Sequence, residues 1–123
     1  MKSRIAFSTF LTLCLLLVGC GRQSATNNAQ VAALFRATRE GNTDMVRSLL
    51  SAPGVDVNAT DETGSTPLLE AARFGHEDIC RTLIAAGANL KSKDRDGKTA
   101  LQLAIQGDHD DVVRVLKQAG ANE

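Results

Sequence analysis

Apolar residues along this chain form two kinds of pattern, one unbroken and one periodic. Residues 5–18 form a single uncharged apolar run near the N-terminus. Much further along, Ile79, Leu83 and Ile84 recur at positions i, i+4 and i+5, so that they share one face of a helix. This spacing predicts an amphipathic helix over 77–86.

A second helix is predicted directly before this one. Thr66 is typical of an N-cap, and Pro67 fits the first helical position, where a missing N–H costs nothing. Ala71 and Ala72 keep the helix thin, so that a neighbouring helix can approach closely, and Gly75 ends it. The two helices together form a helix–turn–helix unit.

The helix–turn–helix unit occurs three times. A shift of the chain by 33 residues aligns identical residues of the second and third copies, and ten of these pairs mark the repeat. They are Asp61/Asp94, Gly64/Gly97, Thr66/Thr99, Leu68/Leu101, Ala71/Ala104, His76/His109, Leu83/Leu116, Gly87/Gly120, Ala88/Ala121 and Asn89/Asn122. A shift of 34 aligns an earlier copy. The predicted helix pairs of the first and third copies lie near 31–40 and 44–51, and near 99–106 and 110–118.

The period and these motifs resemble the ankyrin repeat. The stretch from Asp61 to Leu69 matches the opening of the family pattern except at its last residue, and the stretch from Ala71 to His76 matches its middle. The resemblance covers residues 30–123. It implies an all-α solenoid of about three helix–turn–helix repeats with protruding β-hairpin loops. The repeats fall at about 30–60, 61–93 and 94–123.

The apolar run near the N-terminus predicts an export signal. Lys2 and Arg4 place positive charge in front of it, and its fourteen residues would span roughly 21 Å as a helix, short of the ~30 Å bilayer core. The run ends in Leu17-Val18-Gly19-Cys20, which resembles the bacterial lipobox. That resemblance implies cleavage before Cys20 and lipid attachment to it. An ordinary signal peptide or a signal anchor with a chance Cys is the alternative.

These features divide the chain into three parts. A lipoprotein signal peptide occupies 1–19, the lipidated Cys20 and a flexible polar tether occupy 20–29, and the ankyrin-repeat domain occupies 30–123. Because two or three acyl chains anchor a protein durably, we expect the mature chain to be held on a membrane of the bacterial cell envelope. Gly21 stands where inner-membrane lipoproteins tend to carry Asp, which favours the periplasmic face of the outer membrane.

Composition argues against nucleic acid as a partner. The 123 residues carry 14 basic and 14 acidic side chains, and loss of Lys2 and Arg4 with the signal leaves a net charge of −2. Nucleic-acid binding calls for clustered positive charge instead. The aromatic residues are 4 Phe, few for a large central core but sufficient for short helices that pack through Ala and Gly. We expect a monomer.

We expect structural roles for the two histidines and for Cys80, the cysteine that remains after the signal peptide and Cys20 are set aside. His76 and His109 occupy the same repeat position, where His is common in the family. Pairing them on one metal ion or haem is the alternative, but repeats lie ~10 Å apart, too far for one ion to reach both at ~2 Å. Cys80 is expected to be buried and inert, since a redox role would need exposure and a partner Cys.

The sequence contains no constellation typical of catalysis. Asp108, Asp110 and Asp111 suggest acid–base chemistry at first, but they cluster at a helix start, where the macrodipole favours negative charge. No nucleophile–base pair, phosphate-binding loop or metal cluster is evident. We therefore expect no enzyme activity, no metal and no cofactor.

The resemblance implies that a protein binds the concave face and the loop tips. The helix residues of this set are Arg39, Glu40, Arg73, Phe74 and Gln106, and its loop residues are Glu62, Thr63, Ser65, Arg95, Asp96 and Lys98. An exposed aromatic beside an Arg is a usual composition for a binding hot spot. For Phe74, packing against a neighbouring loop is the alternative. The first loop tip is acidic and the second mainly basic, which indicates either a charged partner or a merely solvated surface.

Together these patterns predict a lipid-anchored, non-catalytic module that binds a protein partner of unspecified identity in the cell envelope. Two narrower functions fit the same features. One is an inhibitor or immunity protein that neutralises an envelope-acting toxin enzyme. The other is an accessory protein of periplasmic oxidative-stress defence, related to haem or catalase. A small hydrolase would need polar groups clustered in a pocket, which the sequence does not offer.

Overall fold

The computed structural model describes residues 28–121. The predicted signal peptide, Cys20 and most of the tether fall in residues 1–27, which lie outside the described residues together with 122–123. Six helices are found in the described part. They are α1 over 28–40, α2 Thr43–Ser51, α3 Pro67–Phe74, α4 Glu77–Ala85, α5 Ala100–Gln106 and α6 Asp110–Gln118. None of these helices is long and apolar enough to cross a membrane.

The helix bounds lie within one residue of the predicted pairs, except at the start of α1. Helix α1 already includes Asn28 and Ala29, which were expected in the tether, because neither residue interrupts a helix and Ala favours one. Helix α4 ends at Ala85, one residue earlier than predicted. The N–H of Ala86 bonds back to carbonyls of the last turn, and the chain leaves through Gly87 at a φ of +93°.

The first helices of the second and third repeats each begin at an N-cap threonine. Its side chain accepts a hydrogen bond from the backbone N–H three residues further on. The hydroxyl of Thr66 accepts a hydrogen bond from the N–H of Leu69 at 3.3 Å. Thr99 forms a reciprocal capping box with Gln102, whose side-chain oxygen accepts from the Thr99 N–H at 3.0 Å. Because these bonds are local, the helix starts lie where the sequence predicts them.

The helices stack in two layers. Helices α3 and α5 contact each other in one layer, and α4 contacts both α2 and α6 in the other. Large apolar side chains at most 1% exposed fill the space between repeats. They are Leu34, Val46, Leu68, Leu69, Ile79, Leu83, Leu101, Val112 and Leu116. Ala71, Ala72 and Ala104 are fully buried, and their small side chains allow the first helices to approach closely.

A glycine and a histidine join each repeat to the next. Gly75 has a φ of +75°, and a Cβ placed on it would lie 2.5 Å from Nδ1 of His109. The equivalent pair is Gly41 and His76, with a corresponding distance of 2.9 Å to Cε1. The His109 Nε2 atom lies 3.1 Å from the carbonyl oxygen of Arg73, and His76 makes the matching contact at 3.2 Å. Both imidazoles therefore connect neighbouring repeats.

The loops that precede α3 and α5 contain the same tight turn. In each, the carboxylate of the first residue accepts backbone N–H groups two and four residues further on. Asp61 accepts from the N–H groups of Thr63 and Ser65, and Asp94 accepts from the N–H groups of Asp96 and Lys98. Across residues 28–121 the predicted β-hairpins take the form of these turns with one isolated bridge, between Lys93 and Thr99. The arms stay short because a helix cap follows at once.

Cys80 lies on α4 with no exposure to solvent and outside any disulfide. Burial, followed by the charge of Glu77, raises the pKa of its thiol to about 12. Since the thiolate is the reactive form, the Cys80 side chain is inert at neutral pH and serves as an apolar group of the core.

Candidate functional site

The C-terminal ends of α1, α3 and α5 lie beside the tips of the turns and form one surface, here called the helix–turn face. Its residues are Arg39, Glu40, Arg73, Phe74 and Gln106 from the helices, and Glu62, Thr63, Arg95, Asp96 and Lys98 from the turns. Direct contacts connect the two sets. Lys98 Nζ donates to Gln106 Oε1 at 2.7 Å, and Arg73 Nη2 donates to Asp94 Oδ2 at 3.3 Å. These contacts place Gln106 beside Lys98, and Arg73 beside the turn that begins at Asp94.

A buried carboxylate lies beneath this face and was not among the predicted site residues. The side chain of Glu70, on α3, is 3% exposed. Its Oε2 accepts from Arg39 Nε at 2.9 Å, while its Oε1 accepts from the Ser65 hydroxyl at 2.9 Å and lies 3.3 Å from Arg73 Nη1. One carboxylate therefore holds guanidinium groups from two successive repeats and fixes their positions.

The sequence contains a signal for Glu70 and, three residues later on the same helix, for its partner Arg73, although not for its partner Arg39. Glu70 follows Leu68 and Leu69 and stands where the next repeat has the apolar Leu103. A charged residue at an otherwise apolar repeat position needs buried partners, because an unpaired buried charge is costly. The bonded arginine, Arg39, is 31 residues away, so short-range spacing does not reveal the pair.

Arg39 also pairs with the turn of the following repeat, where its Nη2 lies 3.0 Å from Asp61 Oδ2. Burial acts to raise the pKa of Asp61, but hydrogen bonds from Thr63 and Ser65 and the charge of Arg39 together lower that pKa below its ordinary value of 3.8. The hydrogen bond to Glu70 raises the pKa of Arg39 against a smaller effect of desolvation. Both groups are therefore charged at neutral pH.

Asp61→Asn is expected to lower the free energy of unfolding by about 0.5–1 kcal/mol near neutral pH. The amide keeps an acceptor oxygen for the turn but loses the charge that pairs with Arg39. Because folding lowers the pKa of Asp61, its carboxylate stabilises the native state above pH 3.8, and this contribution is lost as the pH falls through the folded-state pKa. The difference between variant and wild type should therefore disappear in acid.

Urea unfolding followed by circular dichroism, from neutral pH down to about pH 3, measures this difference. Asp56→Asn is the matched control, since Asp56 is exposed and forms no ion pair in the described residues. A difference between Asp61→Asn and wild type that stayed constant with pH would contradict the assignment of this charge to stability.

Phe74, at the end of α3, is the most exposed large apolar side chain in the described region, at 48%. Its ring stacks on His76, the residue directly before α4, with centroids 6.3 Å apart and an interplanar angle of 25°. The ring thus packs on a side chain of the turn that joins α3 to α4, and it leaves about half of its surface to solvent.

The two turn tips are also connected to each other, because Arg95 Nη2 donates to the carbonyl oxygen of Glu62. The Thr63 hydroxyl donates to Asp61 Oδ1 at 2.6 Å, within its own turn. Ser65 was expected to contact a partner, but it is fully buried and its hydroxyl donates to Glu70. A side chain without exposed surface cannot touch a partner, so Ser65 belongs to the interior of the turn.

The chemistry that this face offers is ion pairing, hydrogen bonding and apolar contact. Among residues 28–121, no group of three or more His, Cys, Asp or Glu side chains is arranged to hold a metal ion. An exposed aromatic ring surrounded by anchored charged groups is typical of a surface that recognises another protein.

Comparison with protein-family models gives the same result as the repeat motifs. The model described as ankyrin repeats, in three copies, matches residues 5–94 and again residues 34–123. The chain belongs to the ankyrin-repeat family. The resemblance drawn from the motifs between Asp61 and His76 is therefore confirmed. Ankyrin repeats are generally protein-interaction modules and are typically non-catalytic, so the helix–turn face is a candidate protein-binding surface.

Individual ankyrin-repeat relatives match part of the chain. Protein phosphatase 1 regulatory subunit 27 of Mus musculus is 46% identical over 59 residues, which are 48% of this chain and 38% of the relative. Ankyrin repeat domain-containing protein 29 of Homo sapiens is 42% identical over 57 residues, 46% of this chain and 19% of the relative. Palmitoyltransferase akr1 of Schizosaccharomyces pombe is 42% identical over 59 residues, 48% of this chain and 9% of the relative. The chain thus spans well under half the length of these eukaryotic relatives.

Proposed function

We propose that this ankyrin-repeat chain is a non-catalytic, monomeric module that binds a protein through its helix–turn face, which corresponds to the concave face of the family. The observation that carries the proposal is Phe74, 48% exposed beside Arg73, whose guanidinium is held by Glu70 and Asp94. Aromatic and Arg side chains dominate binding hot spots, and an Arg fixed before binding loses less conformational entropy when the complex forms.

Phe74→Ala is expected to weaken partner binding at least about tenfold, since hot-spot truncations cost 2 kcal/mol or more. The experiment is a pull-down from detergent-solubilised membranes with the mature chain, followed by a titration of the recovered protein. Met45→Ala is the matched control, because Met45 is a similarly exposed apolar residue, at 43%, on α2 and away from this face. Equal weakening by both variants, or recovery of no specific protein, would contradict the proposal.

We further propose that the module is lipid-anchored in a bacterial cell envelope, on the periplasmic face of the outer membrane. Support comes from the Leu17-Val18-Gly19-Cys20 sequence after an uncharged apolar run, and from Gly21. In this proposal residues 1–19 are removed, Cys20 carries the lipid, and the polar residues after it form the tether to the repeats at about 30–60, 61–93 and 94–123. Multiple acyl chains would anchor the module durably.

Cys20→Ser is expected to abolish lipid attachment and to move the protein from the membrane fraction to the soluble fraction of the envelope. The measurement is metabolic labelling with radioactive palmitate, combined with fractionation, in a Gram-negative host. Cys80→Ser is the control and should leave both results unchanged, since Cys80 is buried in α4. Labelling that persisted in Cys20→Ser would contradict the lipid-anchor proposal.

The similarity to a phosphatase regulatory subunit favours an enzyme as the protein partner. An inhibitor or immunity protein against an envelope-acting toxin enzyme fits this version, and it predicts one tight partner with affinity concentrated at Phe74. An accessory role in oxidative-stress defence predicts weaker binding spread over the face. The titration of Phe74→Ala therefore separates the two.

A further inference from the structure

The basic and the acidic side chains of the helix–turn face differ in the contacts that they already form within the chain. Every basic side chain of this face already donates to an acceptor of the same chain. The pairs are Arg39 with Glu70 and Asp61, Arg73 with Glu70 and Asp94, Arg95 with the Glu62 carbonyl oxygen, and Lys98 with Gln106. Only Arg39 and Arg73 pair with carboxylates, so that their charge is offset within the chain, whereas Arg95 and Lys98 donate to neutral oxygens and keep their charge.

Three acidic side chains of the same face are in the opposite situation. Glu40, Glu62 and Asp96 are exposed, and their carboxylates take part in no ion pair or hydrogen bond within residues 28–121. A cationic group that approaches this surface therefore meets carboxylates ready to accept from it. Three carboxylates without an ion pair, Glu40, Glu62 and Asp96, thus stand against two cations without one, Arg95 and Lys98, which leaves the helix–turn face with an excess of one negative charge.

Two open clefts run along this face, and each contains one of these carboxylates. The first, of about 600 Å³, lies between α1 and the first turn, with Val31 and Phe35 on one side and Glu62 on the other. The second, of about 350 Å³, lies between α5 and the second turn; Leu103 and Asp96 line it together with Asp94 and the internally bonded Arg73 and Lys98. An apolar wall with a carboxylate at the rim fits the aliphatic stem and charged head of Lys or Arg.

The two clefts lie on neighbouring repeats. Their turns contact each other, since Arg95 of the turn that carries Asp96 donates to the carbonyl oxygen of Glu62. The exposed lysines Lys91 and Lys93 belong to a different surface. They line a third cleft, with Ala88 and Gly120, which shares no residue with the other two. These two lysines therefore stand outside the two clefts of the helix–turn face.

We infer that the partner presents an extended, basic segment to this face, with one Lys or Arg side chain in each cleft and an apolar side chain on Phe74. This inference rests on the proposed function, because it specifies the partner of the same surface. The Glu62 and Asp96 carboxylates accept from the two basic groups. The four arginine and lysine side chains of the face stay in their internal pairs and shape the clefts.

A matched pair of peptides tests the sign of charge that the face selects. Both are fluorescent 12-residue peptides of Gly, Ser and Leu, one with Lys and the other with Glu at the same positions. The mature chain is expected to bind the Lys peptide at least about tenfold more tightly in anisotropy titrations at low ionic strength, and this preference should weaken as salt is added. Glu62→Gln with Asp96→Asn should reduce binding of the Lys peptide on the order of fivefold.

Asp78→Asn with Asp110→Asn is the control, because it removes the same charge from exposed first-turn positions of α4 and α6. Equal binding of the two peptides, stronger binding of the Glu peptide, no measurable binding of the Lys peptide, or equal losses in the two double variants would overturn the inference. A partner that is recovered from membranes and lost in Phe74→Ala, combined with any of these results, would leave the proposed function standing and remove only the basic segment.

Discussion

Gly75→Ala is expected to lower the free energy of unfolding by about 3 kcal/mol, through two separate effects. An L residue at the Gly75 φ of +75° costs roughly 1–2 kcal/mol. The new Cβ would also lie 2.5 Å from Nδ1 and 2.7 Å from Cε1 of His109, so the ring must move and give up its contact with the Arg73 carbonyl, which is worth about 1 kcal/mol. Thermal unfolding should show a midpoint lower by on the order of 15 °C.

Gly87→Ala isolates the backbone part of this loss. Gly87 has a φ of +93°, and a Cβ built on it meets nothing within 4 Å, so its substitution should cost only about 1–2 kcal/mol. In a His109→Ala background the steric part should also vanish, and Gly75→Ala should then cost about as much as Gly87→Ala. If Gly75→Ala and Gly87→Ala were equally destabilising in the wild-type background, the glycine–histidine contact would not be what joins the repeats.

Asp108 separates these two effects in the natural sequence. It occupies the repeat position of Gly75, and it has a φ of +56°, the single non-glycine residue at positive φ in the described part of the chain. Asp tolerates this conformation better than most residues. Within residues 28–121 no imidazole of a following repeat lies over Asp108, so its Cβ is accommodated. Glycine is thus required most strictly at positions where the ring of a histidine packs against it.

The fold could be predicted from the sequence because its determinants are local. The Thr66 cap, Pro67 at the first helical position and the positive φ of Gly75 each depend on residues within a few positions. Repetition of these signals at a fixed period then defined the helix pairs. The presence of Asn28 and Ala29 in α1 was not predicted, because no cap or apolar spacing marks those residues.

The candidate site was predictable only in part, because its charges are organised between repeats. Repeat register indicated Arg73 and Phe74, and the structure places both on the exposed face. The position of Ser65 in the repeat could not show that its side chain is buried, since this depends on a hydrogen bond from its hydroxyl to the buried Glu70. Repeat position also could not show that Arg39 is already paired, because its partners lie 22 and 31 residues away.

Glu70→Ala is the second substitution with a large expected effect, about 2–4 kcal/mol in the free energy of unfolding. The fully buried Ser65 hydroxyl would lose its acceptor, which costs about 1–3 kcal/mol, and the truncation would leave a cavity beside α3. Arg39 and Arg73 would lose the carboxylate that they share. Their side chains are 48% and 43% exposed, so water can solvate the freed charges and limit the loss.

Glu70→Leu separates stability from the positioning of the two arginines. Leucine fills the volume, as Leu103 does at this position in the next repeat, so urea unfolding should show about half the loss of Glu70→Ala. The arginines would still lose their common anchor, and binding of the partner recovered from membranes should weaken on the order of tenfold. Wild-type binding by Glu70→Leu would show that partner recognition does not depend on the buried carboxylate, which would then serve stability alone.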